Sequence, residues 1–137
     1  MSALSDIRGA VMAALATTAS VGGRIFESRA LALDRDEFPA LVVRFGDESV
    51  DTISHHQVDR RLEVVIEIHC RDDAGESAAD TISESAHSLI MSDGNLASKI
   101  VDISQVGANR SFDEADLTAV VVSLIYRVWY RTPRAAS

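Results

Sequence analysis

Leu62-Glu63-Val64-Val65-Ile66-Glu67-Ile68-His69-Cys70 alternates with a period of two. The even positions Leu62, Val64, Ile66, Ile68 and Cys70 are apolar, while Arg61, Glu63, Glu67, His69 and Arg71 are charged or polar; Val65 is the exception. Successive side chains of a strand point to opposite faces, so this stretch is a strand with one face on a core and the other toward solvent or a partner.

The segments on either side supply what covers that core face. Before it, Ser5 is placed to cap a helix in which Ile7, Val11, Ala14, Leu15 and Thr18 recur at helical spacing until Gly22-Gly23 stops it. After it, Asp72-Asp73-Ala74-Gly75 breaks the strand and caps a second helix carrying Ala79, Ile82, Ala86, Leu89, Ile90 and Asp93, up to Gly94-Asn95. Residues 96–101 add a short helical turn. Further strands are expected at residues 24–29, 40–45, 103–112 and 117–131, with a loop at residues 34–37, a turn at Gly46-Asp47-Glu48 and a polar loop holding His55-His56. Pro39 restricts Phe38 to extended geometry. The last strand is apolar at both parities through residues 118–125 and reads as buried on both sides there. Its end, Tyr126-Arg127-Val128-Trp129-Tyr130-Arg131, mixes aromatics with Arg, a combination enriched in interfaces and equally able to close a core. The expected fold is α+β: a mainly antiparallel or mixed sheet of four to five strands with two helices packed on one face. Residues 1–137 are expected to form one domain.

Thirteen basic against 21 acidic residues give a net charge of −8, which disfavours attraction to phosphate backbones or anionic lipid. Neither sequence-specific nucleic acid nor a membrane is an expected partner, and no segment approaches the roughly 20 apolar residues of a membrane span. The apolar stretch after Arg8 is mostly alanine with Asp6 in front, and is not expected to be a cleaved signal. The charges are unevenly placed: Asp72, Asp73, Glu76, Asp80 and Glu84 form an acidic run, and Arg127, Arg131 and Arg134 close the chain without an acid. All basic residues but Lys99 are Arg, which suits bidentate pairing with carboxylates and would also follow from a genome rich in Arg codons.

Candidate chemistry is sparse. Cys70 is the only cysteine, which excludes an intrachain disulfide and a cysteine metal cluster and fits a cytosolic setting. Cys70 and His69 are strand neighbours and so face opposite ways, which assigns Cys70 to the core. His87 lies three residues after Glu84, the spacing of a surface helix pair. His55-His56, with Asp51 and Asp59 nearby, lacks the spaced, convergent ligands of a metal site. No phosphate-binding loop or dinucleotide fingerprint is present. No catalytic residue, metal or cofactor is expected.

Taken in order, the N-terminal helix, Asp36-Glu37-Phe38-Pro39-Ala40-Leu41-Val42-Val43, the alternating strand, the second helix ending Met91-Ser92-Asp93, and Ala115-Asp116-Leu117-Thr118-Ala119-Val120-Val121 resemble the minor tail protein U family, the tail terminators of long, flexible-tailed phages. The resemblance spans residues 5–131, with departures in the Arg-rich end and in the His55-His56 loop. It implies a structural subunit of the virion tail, assembled in the host cytoplasm. Such a subunit forms a hexameric ring on the finished tail tube protein, stops its polymerisation and presents a surface to the head-tail connector protein. Another neck protein of the head-to-tail joint, or a small enzyme or ligand-binding domain of similar fold, are the competing readings. An assembly subunit uses the polar strand face at Arg61, Glu63, Glu67 and His69 to choose neighbours, whereas an enzyme needs those groups to converge in a pocket. Ring closure needs two unlike surfaces on each subunit. The expected contact brings Arg127 and Arg131 of one subunit to Asp72, Asp73 or Glu76 of the next, with Trp129 and Tyr130 adding apolar area.

Overall fold

Backbone hydrogen bonding turns the alternating stretch into the second of three long strands laid side by side. The structure, a computed structural model, describes residues 2–27, 38–71, 75–112 and 119–135. Its elements run α1 (Ala3–Leu15), β1 (Ile25–Glu27), β2 (Ala40–Thr52), β3 (Gln57–Cys70), α2 (Gly75–Ser92), α3 (Gly94–Ala97), β4 (Asp102–Phe112) and β5 (Val120–Pro133). The strands form one sheet in the order β1-β2-β3-β5-β4, antiparallel throughout except for β1, which runs parallel to β2. The architecture is the expected α+β one, a five-stranded mixed sheet with its helices on one face.

Register explains why only one face needs covering. Leu41, Ile68 and Val122 share a row across β2, β3 and β5, as do Val43, Ile66 and Leu124, and these rows face the helices. Ile7, Val11 and Leu15 of α1 and Ala79, Ile82, Ala86 and Ile90 of α2 complete the same core, all at most 1% exposed. On β5 the burial also alternates, with Val120, Val122 and Leu124 buried and Val121, Ser123 and Ile125 half-exposed. The expectation of a strand buried on both sides is therefore corrected: apolar residues of both parities are present, but helices lie on one face only. Ala40 and Val42 at the start of β2 are the exception, buried on the opposite side as well.

Element boundaries moved where local chemistry differed from the pattern. Ser2, not Ser5, caps α1, its hydroxyl accepting the Ser5 N–H at 3.1 Å. The helix ends at Leu15, and a tight turn follows with Ser20, Gly22 and Gly23 at positive φ and Val21 buried between them. Glycine fits these left-handed positions at no steric cost. Gly46-Asp47-Glu48 is not a turn. The β2–β3 pairing passes a bulge between Phe45 and Glu48 and resumes to Thr52 opposite Val58, so the hairpin reverses at residues 53–56 instead. Continued cross-strand bonding outweighed the local turn tendency of those residues. Asp93 does not close α2 but caps α3, accepting the Leu96 N–H at 2.8 Å. The loop at residues 34–37, the cap at Asp72-Asp73 and the link at residues 113–116 lie outside the described residues.

Ile66 is fully buried in the core row and Val65 half-exposed on the other face. Ile66→Ala is expected to cost about 2–5 kcal/mol in urea denaturation, and Val65→Ala distinctly less. Equal losses would mean that both faces are buried alike.

Candidate assembly surface

The sheet face away from the helices carries nearly every charged side chain that the alternation of β3 set aside. Arg61, Glu63, Glu67 and His69 share it with Arg127, Trp129 and Arg131 of β5, because Arg61 pairs with Trp129, Glu63 with Arg127 and Glu67 with Ser123. Val65, Val121 and Ile125, all half-exposed, give the same face an apolar middle.

Two charge networks organise it. In the first, Glu67 bonds Arg44 Nε at 3.0 Å and lies 3.1 Å from His69 Nε2, tying β2 to β3. In the second, Trp129 sits between two guanidiniums, Arg61 at 5.1 Å and Arg131 at 5.6 Å from the ring centroid. The stack follows from register: Arg61 is directly across the ladder, and Arg131 is two residues along on the same side. Each guanidinium is held from its other side, Arg61 by Asp51 at 2.7 Å and Arg131 by Asp59 at 2.8 Å. Such cation–π contacts contribute about 0.5–1 kcal/mol each at exposed sites, so the cluster holds its shape without a partner.

Asp59 is the most constrained charge of this group. Burial pushes its carboxyl upward, but the neighbouring Trp129 N–H and the Arg131 and Arg61 guanidiniums outweigh that and hold it below the usual carboxylate range. The Trp129 N–H acts through proximity: Nε1 is buried and closes no hydrogen bond of full geometry among the described residues.

Glu63 and Arg127 face each other across the ladder but form no ion pair. The Glu63 side chain lies over Gly46 at the β2 bulge, its carboxylate filling the space a Cβ would take. Arg127 is left exposed, with no carboxylate partner among the described residues.

The structure also corrects parts of the expected patch. Tyr130 is 1% exposed and faces the helix side, where its hydroxyl donates to Glu48; it offers no area to a partner. Burial, then the Glu48 carboxylate, push its phenol far up. Arg131 is already committed to Asp59. Asp72 and Asp73 lie outside the described residues, as does the side chain of Glu76. His87 is not half of a surface pair: its Nδ1 lies 2.7 Å from the buried Tyr126 hydroxyl, linking α2 to β5. Burial raises the Tyr126 phenol to about 12. Cys70 is 1% exposed and its thiol is raised by burial to about 11, as befits a core residue rather than a nucleophile. His55 and His56 line a shallow open hollow with Pro133 and Arg134, and the Arg134 N–H bonds the His56 carbonyl at 2.8 Å. Three partners were not anticipated: Arg44, Asp51 and Asp59. Their signal in the sequence is parity, since each falls on the open face once the strand pairing is known.

The fold is thus a helix-backed mixed sheet whose open face carries most of its charged groups, some of them around a small hollow lined by Asp47, Glu48, Ser49, Arg61, Glu63 and Arg127. The sequence profile of the phage minor tail protein U family matches residues 3–130, and the chain belongs to that family. Its role is structural, in a phage-type tail. A chain in the virion of a native gene transfer agent particle shares the fold, with a TM-score of 0.68 over 94% of this chain and 97% of that one at 16% identity. No curated protein sequence matches it.

The depressed Asp59 carboxyl carries a pH dependence. A group with a lower pKa folded than unfolded adds stability above its unfolded value, about 4 for Asp, and loses it as pH falls through the folded value. Asp59→Asn is expected to flatten the acid limb of a stability profile starting just below about pH 4. A parent and variant with parallel acid limbs would show that Asp59 titrates alike in both states.

Proposed function

We propose that the chain is the tail terminator of a phage or prophage: copies close into a ring, expected to be hexameric, on the last layer of the tail tube. The ring ends tube growth and offers its far side to the head-tail connector. What carries this reading is the open, pre-stiffened sheet face of a minor tail protein, on which Arg127 stands exposed with no carboxylate partner among the described residues. A ring subunit can meet this cation with an acid of its neighbour. A single exposed ion pair contributes about 0–1 kcal/mol, so its role is to set orientation and salt dependence while apolar contact supplies most of the binding.

The decisive experiment adds the purified protein to polymerising tail tubes and images them by negative stain. Tubes that stop growing and carry a ring at one end are expected. Tubes that lengthen unchecked, with the protein bound elsewhere in the neck, would assign it to another head-to-tail joint. Arg127→Glu is expected to reduce ring formation in sedimentation at low salt and to matter much less at high salt, where screening has already weakened the pair. A folded variant that assembles as well as the parent at low salt removes Arg127 from the contact.

A further inference from the structure

Two edges of the sheet are open among the described residues. β4 pairs only with β5, and β2 is covered by β1 only at residues 41–43, which leaves residues 44–52 unpaired on that side. Almost all of β4 is exposed, and it holds neither Lys nor Pro, the residues that commonly block edge pairing. Of the large apolar side chains that stand exposed, Val50, Ile53, Val101, Val106 and Phe112 lie on or directly beside these two edges; only Met91 does not.

The edges match each other. β2 and β5 run one way, and β3 and β4 the other. A copy placed beside the first by rotation keeps those directions, so β4 meets the next β2 antiparallel. Heights follow from the rows. Ser49, Arg61, Trp129 and Asp102 form one row on the face away from the helices, so Ser49 and Asp102, both exposed, are level at the two edges. Arg127 shares a row with Glu63 and Ser104, at the height of Gly46-Asp47 in β2, and Asp47 is exposed. Both edges also bulge at this height, between Phe45 and Glu48 and between Gln105 and Gly107. Bulges of this kind bend and twist strands as a closing sheet requires.

We propose that β4 of each subunit hydrogen-bonds antiparallel along residues 44–52 of the next copy's β2, joining the sheets into one continuous band. Asp102 then stands opposite the neighbour's Ser49, and the neighbour's Asp47 reaches the row of Arg127. Because the two edges are unlike, the contact is head-to-tail and closes into a ring when the rotation permits. This inference rests on the ring reading above and names the contact that makes the ring.

The test is disulfide trapping with Ser49→Cys and Asp102→Cys, the buried Cys70 remaining in place. On oxidation, mixing the two single variants is expected to yield about tenfold or more covalent dimer than either alone, since assembly raises the local thiol concentration. The double variant should give a ladder of linked subunits. Gln105→Pro supplies a second measurement. The Trp129 carbonyl accepts the Val101 N–H at 2.7 Å and so faces β4, which turns Tyr126, three residues back, toward β3 and leaves the N–H of its partner Gln105 pointing outward, where proline spares the fold. The variant should melt like the parent and lose assembly. If Gln105→Pro does not fold, trapping decides alone. Rings seen by negative stain without the mixed disulfide, or with each single variant linking as readily to itself, overturn the edge contact and leave the ring standing. A parent that remains monomeric at every concentration and on tail tubes overturns both.

Discussion

The ladder between β3 and β5 is the constraint on which the rest of the molecule depends. Residues 57–70 are matched without interruption by residues 133–120, so every side chain of one strand has a fixed opposite in the other. A slip of one residue would exchange the two faces, placing Glu63, Glu67 and His69 under the helices and Leu62, Val64, Ile66 and Ile68 in water. No such register is affordable, and the neighbouring strands inherit the one that is left. β2 and β4 each accommodate a bulge, while the central pair has none.

That same register assembles the open face. Arg61 and Trp129 stack because they are cross-strand partners, and Arg131 joins them because side chains two residues apart lie on one side. The open, charged surface of this tail protein is thus built by core packing on its far side. Its ion pairs run from strand to strand, Arg44 to Glu67 and Arg61 to Asp51, which stiffens the sheet where no helix supports it. Arg127 escapes this pairing because the Glu63 carboxylate turns toward the space over Gly46. Among the described residues, this face of a minor tail protein leaves Arg127 without a carboxylate partner and two strand edges unpaired.

The helix-facing side shows the opposite economy of polar groups. Tyr126 and Tyr130 are buried, yet each hydroxyl has a partner, His87 for the first and Glu48 for the second. A buried hydroxyl without a hydrogen bond would destabilise the fold. These two links therefore tie α2 and the bulged part of β2 to β5. The Tyr130 link also explains why an aromatic that looked available for a partner is not.

The sequence by itself determined the fold class, the inward and outward faces of β3 and the two one-sided helices, because a period of two and a period near 3.6 are local properties that burial enforces wherever the segment ends up. It also placed Cys70 in the core and separated it from His69 by parity alone. Only the tertiary structure decided which strands lie side by side, and with that which charges meet. Asp51 and Arg61 are brought together by the β2–β3 hairpin, and Asp59 and Arg131 by the ladder between residues 72 positions apart. Tyr130 and Trp129 are adjacent in sequence and both aromatic, yet one is core and one is surface. The helices pack against a single face of the sheet, as the one-sided alternation of β3 implied, but which helix residues meet which strand rests on contacts between segments far apart in the chain, which no local pattern encodes.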